Sequence, residues 1–549
     1  MEHTKWRSLE DTFTWNNDGE VGSGGVPDVA LGEGALVGDR YRLQGQVGAG
    51  GMSTVYRALD RLTGEVVALK QMSAPVSGLS SETMAGWQRT EDEAPKAPDL
   101  GSSARLRYAL AREFQTLSTL RHPNIISVLD YGFHNDSDPF YTMELLSGAC
   151  DIEEAARLVD AAGKIELLVE TLRALAYLHR RGVLHRDLKP ANILVTDRVR
   201  VLDFGVAART DDPTNRRAGT LGFIPPEVYH RQPLTRAGDL FAVGVIAFRM
   251  FSDEHPFDAS SSKTLRESIL HDTPRYRRLR AEPPVVAVIR RLLEKDPTDR
   301  FASAEETIDA LAAAASLPIR RETRATRESF LQAAAFVDRD AERAALDDAV
   351  ASLHRGVGGV VLLGGPSGIG KSRLIDEFQT LLKVLGLRVV RGQAAAEAGD
   401  AFELWAAPLR RLLLYGVPEG TALGVLKVLI DDLPQLLEQE IPETPLSPQG
   451  AKDQVVAAIQ GLLQAQDQPT IILLEDLHWG RESVDVLAGL AEALSDRPVL
   501  VVGTYRPEEA PEALGALSAQ RLRLAPLARA DVAALAAGML GEGADRVVP

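Results

Sequence analysis

Residues 183 to 205, Val-Leu-His-Arg-Asp-Leu-Lys-Pro-Ala-Asn-Ile-Leu-Val-Thr-Asp-Arg-Val-Arg-Val-Leu-Asp-Phe-Gly, constrain this chain more than any other stretch. Two short Val/Leu-rich runs, Ile193 to Thr196 and Arg198 to Leu202, flank Asp197 and predict a tight hairpin. Asp187, Lys189, Asn192 and Asp203 lie around those runs, so the hairpin sets one carboxylate at each end of a small cleft.

The spacing His185-Arg186-Asp187-Leu188, then Asn192, then Asp203-Phe204-Gly205, resembles the catalytic loop and metal motif of eukaryotic-type Ser/Thr protein kinases. The resemblance implies that Asp187 orients and deprotonates an acceptor hydroxyl, that Lys189 reaches the transferred phosphate, and that Asn192 and Asp203 hold Mg²⁺. It extends upstream. Gly48-Ala49-Gly50-Gly51-Met52-Ser53-Thr54-Val55 looks like the glycine-rich loop over ATP, with Ser53 in place of the third glycine. Val67-Ala68-Leu69-Lys70 looks like the strand whose lysine clamps the α/β phosphates. Val55 and Ala68 join the implied nucleotide-binding set. Arg105 to Leu120 predicts an amphipathic helix, on which Glu113 is the implied partner of Lys70. Phe140 to Leu146 resembles the strand leading to the adenine hinge, with Met143 as gatekeeper and the backbone near Glu144 and Leu146 receiving the base.

Arg186, just before Asp187, stands where a phosphothreonine can neutralise it, and Thr210 or Thr214, beyond Asp203, is the candidate modified residue. Asp211 and Asp212 beside them offer an alternative source of negative charge. Gly219-Thr220 resembles the substrate-recognition element in which Thr220 supports Asp187 and Lys189, which points to Ser/Thr acceptors. Pro225-Pro226-Glu227 closes the segment, and the resemblance implies a buried pair between Glu227 and Arg300.

A second nucleotide motif follows. Phe336-Val337-Asp338-Arg339-Asp340 resembles the opening motif of AAA/STAND-type signal-transduction ATPases. An apolar strand, Val360 to Leu363, runs into Gly365-Pro366-Ser367-Gly368-Ile369-Gly370-Lys371-Ser372, which satisfies G-x-x-x-x-G-K-[ST]. Gly365, Gly368, Gly370 and Lys371 would cradle phosphates and Ser372 would bind Mg²⁺. Thr470 to Leu474 leads into Glu475-Asp476, similar to a Walker B pair, of which either acid organises Mg²⁺ while the other polarises water. Val499 to Gly503 leads to Arg506, the candidate γ-phosphate sensor.

The expected architecture is therefore multidomain α+β and α/β: a bilobal protein-kinase fold, then a P-loop parallel α/β ATPase domain. Residues 1–40 read as a flexible acidic, Gly-rich tail; its Trp6 and Trp15 suit either a docking peptide or a plain leader. The kinase-like region covers 41–312, interrupted by a spacer over 73–104, where nineteen of 32 residues are Gly, Ala, Ser, Thr or Pro. A linker or short charged helix over 313–335 precedes the ATPase-like region, 336–549. STAND ATPases usually continue into a lid, a winged helix and repeats, so the chain is expected to be a fragment or a truncated product.

Composition narrows the partners. With 61 basic against 77 acidic residues the net charge is −16, which disfavours nucleic acid and anionic membrane. The single Cys150 leaves no intrachain disulfide framework and fits a reducing, cytoplasmic setting. The run from Leu240 to Phe251 is too short to span a bilayer and reads as a core helix. ATP and Mg²⁺ are the expected cofactors, and proteins with Ser/Thr acceptors the expected partners, with self-association as a further mode. The rival reading is a nucleotide-gated signalling scaffold or transcription regulator whose kinase-like part is regulatory.

Overall fold

The computed structural model describes residues 31–50, 53–72, 120–134, 138–203, 220–323, 325–326, 339–384, 386–394, 402–447 and 450–532. Gly51, the 73–104 spacer, most of the predicted helix with Glu113, and Thr210 and Thr214 lie outside the described residues.

The first unit opens with a six-stranded antiparallel sheet: β1 (Leu36–Val37), β2 (Tyr41–Gly50), β3 (Ser53–Asp60), β4 (Val66–Met72), β5 (Val128–His134) and β6 (Asp138–Glu144), in the order β1-β2-β3-β4-β6-β5. The sheet begins earlier than the pattern from Tyr41 predicts. Leu36 and Val37 pair with Arg42 and Tyr41, and Val37 is fully buried, so the last residues assigned to a tail are part of the sheet. Two apolar residues among glycines carry too little periodicity to be seen as a strand. On β4, Lys70 lies opposite Val55 on one side and Tyr141 on the other, and Ala68 opposite Met143.

A helical lobe follows. The helix Ala161–Arg180 buries Leu168, Leu172, Leu175 and Leu178 along one stripe, and the helix Arg236–Ser252 buries Leu240, Phe241, Val245 and Phe248. In this lobe β7 (Cys150–Asp151), β8 (Ile193–Val195) and β9 (Val199–Val201) form a small antiparallel sheet. The β8–β9 hairpin pairs Ile193 with Val201, so Asn192, just before β8, and Asp203, just after β9, emerge at the same end. Residues 317–323 do not form a charged helix. Leu317 and Ile319 pack on the core, and Arg173 donates to the carbonyls of Arg320 (2.7 Å) and Arg321 (3.3 Å). Among the described residues no helix is long and apolar enough to cross a membrane.

His122 makes this unit pH-sensitive. The ring is buried, its Nδ1 accepts the Asn124 N–H at 3.1 Å, and burial followed by the field of Arg173 lowers its pKa from 6.5 to about 3. The folded state therefore keeps it neutral while the unfolded chain protonates it, so stability present above pH 6.5 is lost as pH falls toward 3. Its slope is about 1.4 kcal/mol per pH unit. We expect wild type to lose about 1 kcal/mol more than His122→Asn between pH 6.5 and 5.5 in urea unfolding, since the unfolded imidazole is only half protonated at the start of that interval; equal losses would contradict this.

The second unit is a five-stranded parallel sheet of β10 (Gly359–Gly364), β11 (Arg388–Gln393), β12 (Thr470–Glu475), β13 (Val499–Tyr505) and β14 (Gln520–Arg523), ordered β11-β12-β13-β10-β14. Successive residues of β10, β12 and β13 enter opposite cores: Leu362, Ile472 and Val501 on one face, Val361, Leu473 and Val502 on the other. Burial on both faces is why these strands read as unbroken apolar runs. The helix Lys371–Val384 follows β10 and buries Leu374, Ile375, Phe378 and Leu382 against the second face.

Candidate functional sites

In the first unit the polar residues around the hairpin converge. Thr220 donates its backbone N–H and its hydroxyl to Asp187 Oδ1 at 2.8 and 2.9 Å. Lys189 Nζ lies 3.1 Å from Asp187 Oδ2 and donates to Thr220 Oγ1 at 3.0 Å. Asn192 Nδ2 donates to the Asp187 carbonyl at 2.7 Å, which leaves its Oδ1 as a hard-oxygen donor at the hairpin end. At that same end Lys70 Nζ, from β4, is 2.5 Å from Asp203 Oδ1. Asp203 has φ +49. Burial raises its pKa, but the Lys70 charge, the Lys70 hydrogen bond and the Tyr141 hydroxyl together hold it below the ordinary carboxylate value. Above, β2 and β3 pair through Gly48–Val55, Ala49–Thr54 and Gly50–Ser53, with Val55 half-buried, Ala68 and Met143 buried, Leu146 half-buried and Glu144 exposed. Lys70, Asp187, Lys189, Asn192, Asp203 and Thr220 are thus in one polar cleft.

Three supporting residues escaped the sequence reading. Tyr141, opposite Lys70 on β6, donates its hydroxyl to Asp203 Oδ1 at 3.0 Å. Asp239 is fully buried; it accepts the backbone N–H groups of His185 and Arg186 at 2.9 and 3.0 Å and faces His179 Nε2 at 2.8 Å. It therefore fixes the backbone just before Asp187, where Arg186 has φ +68. In sequence Asp239 is only the first acid of a helix. Glu170 ties the loops from beneath, accepting from Asn124 and from the Val199 N–H.

In the second unit, Gly365 to Ser372 joins β10 to its helix. Gly368 (φ +76) and Gly370 (φ +101) take backbone conformations that a side chain would strain. Lys371 Nζ is folded over the loop, donating to the carbonyls of Gly365 (2.7 Å) and Pro366 (2.9 Å), and Ser372 is exposed at the first helical turn. Burial, then the charge of Arg506, lowers the Lys371 pKa. Arg339 braces the loop by donating to the Ile369 carbonyl at 3.1 Å.

The two Walker B acids differ. Glu475 is buried and held by Arg391, whose Nε is 2.6 Å away. Asp476, with φ +58, is half-buried; its N–H donates to Thr504 Oγ1 at 3.1 Å and its Oδ2 accepts from Gln393 at 3.0 Å. Asp476, unlike Glu475, is only half-buried, and its charge opposes the effects of burial and Arg506 on Lys371. Arg506 donates to Glu509 at 3.0 Å and lies 5.3 Å from the Trp479 ring centre.

Comparison with known proteins accounts for both clefts. Residues 41–310 match the protein kinase domain family, and residues 335–502 match the AAA ATPase domain family. The serine/threonine-protein kinase pkn3 of Myxococcus xanthus is 34% identical over 303 residues, covering 51% of each chain. The probable serine/threonine-protein kinase pknA2 of Bifidobacterium longum is 32% identical over 286 residues, 49% of this chain and 35% of that one. PksC, a serine/threonine-protein kinase of Streptomyces coelicolor, is 31% identical over 296 residues, 50% of this chain and 49% of that one. The matches to these relatives thus span about half their length or less. Domains of both families use ATP with Mg²⁺. The residues present fit that pair: Asn192 Oδ1 and the Asp203 carboxylate share one hairpin end, and Lys371 lies in the loop as a cation that donates to two backbone carbonyls. The chain therefore joins a protein kinase domain, akin to those of bacterial Ser/Thr kinases, to an AAA ATPase domain.

Proposed function

We propose that this protein is a Ser/Thr protein kinase that transfers the γ-phosphoryl group of ATP to protein hydroxyls, and that its ATPase module, a STAND-like one, serves as a nucleotide-dependent signalling switch. The observation that carries the first part is the Asp187–Lys189–Asn192–Thr220 cluster beside the Lys70–Asp203 pair.

Phosphoryl transfer asks the protein for positioning and charge, with little covalent chemistry. Thr220 fixes Asp187 Oδ1, which leaves Oδ2 to receive an acceptor proton. Lys189, 3.1 Å from Oδ2, is placed to offset charge on the group in transit. The acceptor oxygen gains the phosphoryl group as the bond to the ADP oxygen breaks, and its proton passes to Asp187. Lys70 orients the donor phosphates. Mg²⁺, held by Asn192 and Asp203, supplies charge neutralisation when bound. Glu113 is the proposed partner of Lys70 when the cleft is loaded. In the ATPase module, Lys371, Ser372 and Asp476 are proposed to hold nucleotide and Mg²⁺, Glu475 to support them through Arg391, and Arg506 to sense the γ-phosphate.

Partners on this reading are proteins bearing Ser or Thr, including a second copy of the chain, and not nucleic acid. A cytoplasmic location fits the ATP donor and the single cysteine. Arg186 is the proposed receiver of phosphate on Thr210 or Thr214.

The expected result with radiolabelled ATP, Mg²⁺ and a generic protein acceptor is label on phosphoserine and phosphothreonine after acid hydrolysis. Label confined to phosphotyrosine, or none, contradicts the assignment.

A further inference from the structure

A buried carboxylate sits among the contacts that join the two units. Asp130, on the edge strand β5, is 6% exposed. From its own unit it accepts Arg40 Nη1 at 2.6 Å, the Tyr41 hydroxyl at 3.3 Å and the Tyr131 N–H at 3.0 Å. From the ATPase module it accepts Lys383 Nζ at 2.6 Å and Arg411 Nη2 at 3.4 Å. Beside it the Tyr131 hydroxyl donates to the Thr380 carbonyl at 3.0 Å. Arg61 and Arg410 cross the boundary in opposite senses, to the carbonyls of Leu436 (2.9 Å) and Leu62 (2.8 Å), and Leu62 packs on the ATPase core.

Thr380 and Lys383 lie near the end of the helix that starts at Lys371. That helix carries the loop at one end and the contact with β5 at the other, about 18 Å apart at 1.5 Å per residue. On the far side, Tyr131 lies directly opposite Tyr141 in the β5–β6 register, and Tyr141 donates to Asp203. A packed route thus runs from the phosphate loop through one rigid helix and two paired strands to the Lys70–Asp203 pair.

We propose that a nucleoside triphosphate at the Lys371 loop is an allosteric effector of the kinase cleft, acting through this helix and the Asp130 clamp on β5. The proposal rests on the reading that the Lys371 loop binds nucleotide. A helix that shifts or stiffens when its N-terminal loop fills biases the strand it grips, and linkage requires the influence to run both ways.

The test is hydrogen exchange on the full chain, with and without Mg²⁺ and a non-hydrolysable ATP analogue. The forms compared are wild type, Lys371→Ala, Asp130→Asn and Lys383→Gln. The last two break the clamp from opposite sides, so a folding defect in one leaves the other informative. In wild type, amides of residues 365–372 should gain protection, and those of β5 should slow by about tenfold. In Lys371→Ala both responses should fall. In either clamp variant the loop should remain protected while β5 loses most of its response. Equal slowing of β5 in Lys371→Ala and wild type would assign the effect to the kinase cleft alone and overturn the proposal. So would an undiminished β5 response in a folded clamp variant. A wild-type loop that gains no protection would instead remove the nucleotide reading itself, and the proposal with it.

Discussion

Arg300→Met should destabilise the kinase domain by about 3–5 kcal/mol. The Arg300 side chain is fully buried, and all five of its N–H groups are used. It grips Glu227 with two 2.8 Å bonds, and it donates to the carbonyls of Glu294, Ala237 and Lys295 at 2.8, 2.9 and 3.1 Å. Removing it leaves a buried carboxylate and three carbonyls without their donor. Arg300→Lys should recover little, because a point charge replaces a planar fork. The double variant Glu227→Gln/Arg300→Met should be less damaged than the sum of the singles. Urea midpoints followed by a kinase-domain probe report this. A loss below about 1 kcal/mol for Arg300→Met would contradict the reading.

Asp187→Asn should lower the rate of phosphate transfer by about 10²–10⁴-fold, the usual contribution of a positioned general base. Asparagine keeps an oxygen for the two Thr220 donors, so stability should change little. KM for ATP should also hold, since Asp187 is proposed to meet the acceptor and not the donor. A joint collapse of activity and stability would mean that Asp187 serves the loop's structure, and the base assignment would fail.

Local pattern carried much of this. The β8–β9 hairpin, the strand with Lys70, and the strand–loop–helix around Lys371 each follow from short apolar runs next to turn residues, and the structure has them where the runs stand. The motifs named Lys70, Asp187, Lys189, Asn192, Asp203 and Thr220, which lie together in the structure, but not the Tyr141 that bonds Asp203. What stayed hidden depends on partners far along the chain. Asp130 meets Lys383 and Arg411 across 253 and 281 residues, and no periodicity links such charges. Tyr141 reads as one more aromatic on a buried strand until register places it across from Lys70. Glu475 and Asp476 are equivalent as letters; a left-handed backbone at Asp476 and an arginine from β11 on Glu475 separate them. The sheet's first strand was missed because two residues give no period.

The central claim is that phosphate reaches protein hydroxyls from the Lys70–Asp187–Asp203 cleft and not from the Lys371 loop. The direct measurement is label transfer from ATP to a protein acceptor by Asp187→Asn and Lys371→Ala, side by side with wild type. The account predicts that the first variant loses transfer and that the second still transfers, at a rate that differs from wild type only through coupling between the sites. Full transfer by Asp187→Asn, with loss only in Lys371→Ala, would contradict it.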